Sequence, residues 1–504
     1  MRPETPTRTL LADVQAQGLN RRTFLRNLLL SAGSISTAQW LTACGGADGS
    51  PTGGGGGLNP NFNSRFATMG PLQAPDDNGV QLPEGFTSRV LAVINEPPIP
   101  ENPDFLWHSD PDGGGVFRTD DGGWIYVSNS EARDATTLFG QIPAVPVLSD
   151  LATRDSLETL NSVLGPITGL TPVPAPLITP FAGGVSALRF DADGNLVDAY
   201  PVQRNTTTNC SGGVTPWGTW INGEEIADGY MFECSPLRDG GTPRRLDRFG
   251  RKAHEMAAID VDGRAIYHTE DVTGEDRFYR TVFERADWPA GGPPNYDAGV
   301  LQVLAVDAGL DAARQGPTPI RWIDAIDDGR PQPEVYLDEA TIFAGNEGVW
   351  YLQGFVFFTT KSDDNIWVID TQGGTIESIY NPEDGPIGSP ADPNEPPMAG
   401  VDNIAMTLDG EMVVVEDGGD MRAMVLLPDR RTIPLLRLPG DPEVTEVTGP
   451  AFSPDGRRIY VANQRAGLNG SPAAFGTGGV VYEITMPFSV RVDAPLARRL
   501  DDVG

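Results

Sequence analysis

The sequence predicts an all-β chain folded as a β-propeller. Three observations lead there. Short apolar segments recur in pairs around Asp-Gly turns, the pairs are spread over about 400 residues, and amphipathic helices are few. The first pair is Val116–Val127, around Asp121-Gly122-Gly123. Val185–Val197 turns at Asp191-Ala192-Asp193-Gly194, and Met256–His268 turns at Asp260-Val261-Asp262-Gly263. Phe355–Thr359 and Ile366–Asp370 form a hairpin within Trp350–Ile369. Asn403–Glu416 turns at Leu408-Asp409-Gly410, and Ala451–Asn463 at Pro454-Asp455-Gly456. Their spacing is about 45–90 residues, one or two four-stranded blades apart. A pair of β-sandwich domains is the competing architecture, but no Pro/Gly linker divides the chain. Leu148–Leu164 is the best helical segment, inside a Pro- and Leu-rich stretch, Val145–Pro180, read as an insertion over one face of the ring.

The N-terminus carries an export signal. Asn20-Arg21-Arg22-Thr23-Phe24-Leu25 places Arg21 and Arg22 before an apolar run from Leu25 to Trp40. That run is interrupted by Arg26, Asn27 and Gly33, and is too short and polar for a span of about 20 apolar residues. Leu41-Thr42-Ala43-Cys44-Gly45 follows, a lipobox in which the Cys44 thiol accepts the lipid. Residues 1–43 are therefore read as a twin-arginine lipoprotein signal, and 44–79 as a Gly-rich tether and lead-in. Residues 80–490 are the propeller and 491–504 a tail. The expected location is the periplasm or cell surface, at the outer membrane in a Gram-negative cell, since Gly45 lacks the Asp that marks inner-membrane retention.

Composition bounds the chemistry. The 504-residue chain has a net charge of −33. The signal contributes five Arg against two acids, so the exported part is near −36. Nucleic acid and anionic membrane surfaces are excluded as partners, and the membrane is met through the lipid anchor alone. A monomer is expected. The acids suit a solvated surface, or clusters holding hard cations such as calcium. Only His108, His254 and His268 are available, so a His-rich metal site is excluded by supply. Cys210 and Cys234 remain after Cys44, and are open to a disulfide or to separate roles, one as metal ligand.

Propellers bind ligands where loops from several blades converge. Acids recur at strand ends there: Glu224-Glu225, His254-Glu255, Thr269-Glu270-Asp271, Asn346-Glu347-Gly348, Val401-Asp402-Asn403, Glu416-Asp417 and Glu446. Converging carboxylates repel unless cations neutralise them, so the set implies bound metal. Asn209-Cys210-Ser211-Gly212-Gly213 adds a thiolate, which favours a softer or more highly charged ion than calcium.

At these residues the sequence resembles the PhoX family of secreted alkaline phosphatases. The segment Asn209–Glu225 resembles that family's N-C-x-G-G-x-T-P-W-G-T-W-x-x-x-E-E signature. Gly250–Glu255, Thr269-Glu270-Asp271 with Phe278-Tyr279-Arg280, Asp402-Asn403, and Glu446–Gly456 resemble further elements, in order from about residue 80 to 485. The resemblance implies a six-bladed propeller and a ferric iron (Fe3+) and calcium (Ca2+) cofactor that cleaves small phosphomonoesters. It implies Cys210 as an iron ligand, with Glu225, Glu255, Glu270, Glu347, Asp402 and Glu446 as ligands of iron or calcium.

The sequence departs from the family in three places. Gly345 stands where an arginine expected to contact phosphate would be, which leaves Arg251 and Arg277 as substitutes. Gly223 replaces a second cysteine. Asn129-Ser130-Glu131 replaces Asn-His-Glu, with Asn129 and Glu131 retained as expected calcium ligands. The missing arginine keeps two alternatives open: a calcium-dependent propeller hydrolase of another class, such as a lactonase, or a metal-stabilised binding lipoprotein.

Overall fold

The computed structural model describes residues 64–132, 183–272, 274–288, 292–382, 395–470 and 478–503. Arg21, Arg22, Cys44, the Gly-rich run and the Leu148–Leu164 segment lie outside the described residues. No described helix is long and apolar enough to cross a membrane.

Six antiparallel sheets form a six-bladed propeller. Blade 1 comprises Pro111–Arg118, Trp124–Ser130, Gly183–Phe190 and Leu196–Thr206. Blade 2 comprises Asn209–Val214, Trp220–Glu224, Met231–Cys234 and Arg244–Leu246. Blade 3 runs His254–Asp260, Ala265–Glu270, Phe278–Val282, Val300–Ala305, with Arg321–Asp324 outermost. Blade 4 runs Asn346–Leu352, Phe355–Thr360, Asn365–Asp370, Thr375–Tyr380, edged by Thr318–Pro319. Blade 5 is Val401–Met406, Met412–Glu416, Arg422–Leu426 and Thr432–Arg437. Blade 6 takes Val447–Phe452, Arg458–Asn463 and Val480–Thr485, and its outer strand is Thr87–Val93 from the other end of the chain. That last pairing closes the ring. Each hairpin read from an Asp-Gly turn is present.

The core is divided into inter-blade layers, which excludes the two-sandwich alternative. Strand alternation explains this: successive side chains point to opposite faces, so each blade feeds two neighbours. Val356 and Phe358 pack with Tyr267 and Phe278 of blade 3. Phe355 and Phe357 pack with Ile404 and Met406 of blade 5. Phe66, fully buried, joins the layer between blades 5 and 6. Residues 491–503 cross the ring on the face opposite the channel mouth, where Ala497 N–H donates to Arg118 O at 2.8 Å and Arg498 N–H to Gly218 O at 3.0 Å.

Every innermost strand begins irregularly. Its first pairs are normal, then two residues face one on the second strand before register resumes. Such a bulge bends the strand and re-aims its side chains. The first bulge residue is Asp112, Cys210, Glu255, Glu347, Asp402 or Gly449, in blade order. Glycines let adjacent bulges approach. A Cβ on Gly348 would lie 2.7 Å from Asp402 O, and one on Gly449, where φ is +60°, would lie 2.4 Å from Asp112 O.

Gly449→Ala is therefore expected to cost more than left-handed strain alone. Gly274, with φ +81° and no atom within 4 Å of a built Cβ, isolates that strain. Gly274→Ala should cost about 1 kcal/mol, and Gly449→Ala about 1–3 kcal/mol beyond that. Guanidinium unfolding midpoints check the difference.

Candidate metal centre

The bulge residues form an inner ring at the channel mouth. A second ring comes from the residue just past each second strand: Glu131, Glu225, Asp271, Lys361 and Asp417 in blades 1 to 5. In blade 6 this place is taken by Gln464 and Arg465. Glu446 enters from the loop before its inner strand. Nine carboxylates (Asp112, Glu131, Glu225, Glu255, Asp271, Glu347, Asp402, Asp417 and Glu446) thus meet one thiol and two cations.

Three groups bring donor atoms within 4.8 Å of one another: Asp112–Glu131–Cys210, Cys210–Glu225–Glu255 and Asp402–Asp417–Glu446. That spacing suits oxygen donors about 2.3–2.6 Å from a shared cation. Asp112 Oδ1 and Glu255 Oε2 are buried without a hydrogen-bond partner, which is costly unless a cation takes them up. The residues therefore fit a metal. Two groups share the Cys210 sulfur, while the third offers oxygen alone.

The electrostatics agree. Burial, then the charges of Glu131, Glu446 and Glu225, push Asp112 well above the usual carboxylate range. Burial followed by Glu347, Glu225 and Asp112 does the same to Glu255. Glu225, Glu347 and Asp402 are raised too, chiefly by burial. Glu446 is pushed up to about 8 by burial and Asp417, against Arg465. Burial also raises the Cys210 thiol, which contacts Glu255 Oε1. Lys361 opposes the trend: its Nζ contacts Glu347 and lies 3.0 Å from Asp417 Oδ2 and 3.8 Å from Asp271 Oδ2. Burial acts to raise Asp417, but Lys361, the Glu446 hydrogen bond and Arg465 together lower it. Arg465 reaches Glu446 at 2.9 Å and Glu131 at 3.3 Å.

Seven residues expected from sequence reach the bowl: Cys210, Glu225, Glu255, Glu347, Asp402, Glu446 and Glu131. Four do not. Asn129 donates to Cys210 O at 3.3 Å and Ser211 O at 2.9 Å and accepts from Trp220 Nε1 at 2.9 Å, so it holds the Cys210 backbone instead of a cation. Thr269 and Thr359 occupy the same place in blades 3 and 4, donating to Glu347 O at 2.6 Å and Asp402 O at 2.7 Å. Glu270 accepts from Tyr336 OH at 3.0 Å and from Arg277 N–H at 3.2 Å. Strand alternation turns it from the bowl and presents Asp271 instead. Arg251 is paired with Asp228 at 2.9 Å, and Arg277 stacks on Tyr336 at 3.7 Å and pairs with Glu275.

Asp112, Lys361 and Arg465 are site residues that sequence reasoning missed, and Asp271 and Asp417 are ones it named as strand-end acids without assigning them as ligands. A signal for the last two existed: Glu270-Asp271 and Glu416-Asp417 repeat the tandem acids of Glu224-Glu225 at equivalent strand ends, and in each pair the second acid faces the mouth. Glu416, the first of its pair, binds Arg422 at 2.6 and 2.9 Å. Cys210 and Cys234 are both free thiols, so the disulfide is not formed. Cys234 packs between blades 1 and 2. The absence of a cysteine at Gly223 also has a steric reason, since a Cβ there would lie 2.4 Å from His254 Cβ. All three histidines are depressed by burial, His108 to about 3, and stay neutral near neutral pH.

A six-bladed propeller with a mouth of carboxylates and one thiol placed to hold metal is the class that fold and site define. The chain belongs to the alkaline phosphatase PhoX family, whose model matches residues 175–467. Its fold is similar to the solved structure of Pseudomonas fluorescens PhoX in complex with vanadate, a transition state analogue. The TM-score is 0.60 at 16% identity, covering 83% of this chain and 97% of that one. Weaker likenesses include a gluconolactonase from Xanthomonas campestris (TM-score 0.39, 12% identity, 83% and 98% covered). Another is the calcium-binding protein regucalcin from Agrobacterium tumefaciens (0.33, 11%, 82% and 98%). Comparison with curated proteins gives no sequence match.

The raised Glu446 carboxyl fixes the sign of a pH effect. A carboxyl at about 8 when folded and 4.5 when unfolded keeps its proton only in the folded chain between those values. Stability of the metal-stripped protein should therefore fall as pH rises from about 4.5 through about 8. Melting with chelator at pH 5, 7 and 9 checks this, and added calcium should flatten the decline.

Proposed function

We propose that the chain is a lipid-anchored, metal-dependent phosphatase that hydrolyses small phosphomonoesters. The observation that carries this is the convergence of Asp112, Cys210, Glu225 and Glu255 beside an all-oxygen group, in a chain of the PhoX family. Donor chemistry divides the ligands. Cys210, with Asp112, Glu131, Glu225 and Glu255, suits ferric iron, and Asp402, Asp417 and Glu446 suit calcium. Bound iron and calcium would supply Lewis acidity toward the phosphoryl oxygens and offset charge in the transition state.

The chain's own residues do the rest. The threonine and asparagine contacts fix the bulge backbones, so the ligand carboxylates are held before substrate arrives. Burial keeps bulk water from their inner oxygens. The neutral, buried histidines are poor general acids, which agrees with work at alkaline pH. Glu347 contacts the Lys361 ammonium and orients it.

Arg21, Arg22 and Cys44 support export by the twin-arginine route followed by lipid anchoring, to the periplasm or cell surface. The lipid is then the one membrane contact, the protein acts as a monomer, and nucleic acid is no partner. Export of folded protein suits a site whose Cys210 thiol must stay reduced until metal is seated.

Metal analysis of the mature chain, with p-nitrophenyl phosphate turnover measured with and without chelator, tests the function. Both metals and chelator-sensitive turnover are expected. Calcium alone with no turnover would sink the reading. Cys210→Ala should lose iron, keep calcium and lower kcat by about a hundredfold or more. Arg21→Lys with Arg22→Lys should leave the protein in the cytoplasm, and Cys44→Ser should release it from membranes, as fractionation would read.

A further inference from the structure

The second ring is not uniform. Blades 1, 2, 3 and 5 place a carboxylate just past the second strand, whereas blade 4 places Lys361 and blade 6 places Gln464 and Arg465. The two cations sit at the solvent side of the bowl. Lys361 is 30% exposed and Arg465 24%, while the Glu347, Glu131 and Glu446 side chains they touch are 2%, 5% and 6% exposed. Asp417, at 31%, shares this outer rim with them, and an anion approaching the inner carboxylates meets the two cations before it reaches Glu347, Glu131 or Glu446.

Their present partners include Glu131, Asp417 and Glu446, which are members of the donor groups. A cation seated in those groups takes up the same carboxylate charge. That frees ammonium and guanidinium hydrogens, and the guanidinium fork matches two phosphoryl oxygens. Lys361 is also fixed where the missing arginine leaves room: its backbone N–H donates to Gly345 O at 2.7 Å. Arg251 and Arg277, the substitutes that the sequence suggests, are held by Asp228, Glu275 and Tyr336.

We propose that Lys361 and Arg465 form the clamp that grips the terminal phosphoryl group and favours a dianionic monoester over a monoanionic diester. This rests on the phosphatase reading. Two positive arms beside metal match two negative charges, and a second ester arm would have to pass the rim they form.

The test uses the mature chain purified with its metals, with inorganic phosphate as the probe in titration calorimetry. Lys361→Met and Arg465→Gln should keep their iron and calcium and bind phosphate about tenfold or more weakly. For p-nitrophenyl phosphate, KM should rise more than kcat falls, and the preference over bis-p-nitrophenyl phosphate should narrow. Lys361→Arg should restore most of the affinity. Unchanged phosphate affinity in both metal-replete variants overturns the clamp. Loss of metal in both also overturns it, because the cations would then serve only to balance the carboxylates. A wild-type chain that holds metal but neither binds phosphate nor turns over substrate fails at the phosphatase reading itself.

Discussion

Mutual repulsion among buried carboxylates is the constraint on which the rest of this structure depends. Asp112, Glu225 and Glu255 are each raised by burial and then again by neighbouring carboxylates, so none of the three ionises at ordinary cost. Lys361 and Arg465 relieve part of that repulsion, and the excess of nine carboxylates over two cations must be met by protons or by bound cations. A fold that evolved for stability alone would not collect such groups around one axis. The arrangement makes sense as a receptacle for metal, and the propeller supplies the stiffness that keeps it assembled.

That stiffness comes from repetition. Each blade begins with the same two-residue irregularity, and in blades 1 to 5 that irregularity turns one side chain into the channel. Close approach is possible because Gly348 and Gly449 lack a Cβ where the next bulge passes. Hydroxyl and amide groups from Asn129, Thr269 and Thr359 then tie the bulges of blades 2, 4 and 5 to the preceding blades. Function enters through departures from the repeat: one thiol at Cys210, no side chain at Gly449, and cations where blades 4 and 6 break the acidic pattern.

Much of this was legible in the chain. Asp-Gly turns between apolar segments located the hairpins, since turn chemistry and period-2 alternation are local properties. Glu225, Glu255, Glu347, Asp402 and Glu446 were recognisable from their motifs, and they do converge. Glu270 shows where motif reading stops. It and Asp271 are adjacent acids, and only the strand's exact phase decides which one faces the mouth. Asn129 shows a second limit, because a side chain with suitable donor atoms can be taken up by a neighbouring backbone and an indole N–H.

The sequence by itself determined that this protein is a repetitive β-structure with carboxylate-rich strand ends, one thiol within a family signature, and an N-terminus with the Arg21-Arg22 pair ahead of an apolar run and Cys44. Those features depend on residues close together in the chain. Only the tertiary structure decided that Asp112 and Asp417 join the site, that Cys234 is a packing residue, and that Lys361 and Arg465 pair with carboxylates at the mouth. Their roles arise from ring closure, which brings blade 6 beside blade 1 and sets Arg465 against Glu131 across 334 positions of sequence. No local pattern encodes that meeting, because the strand from Thr87 to Val93 must first complete the last blade.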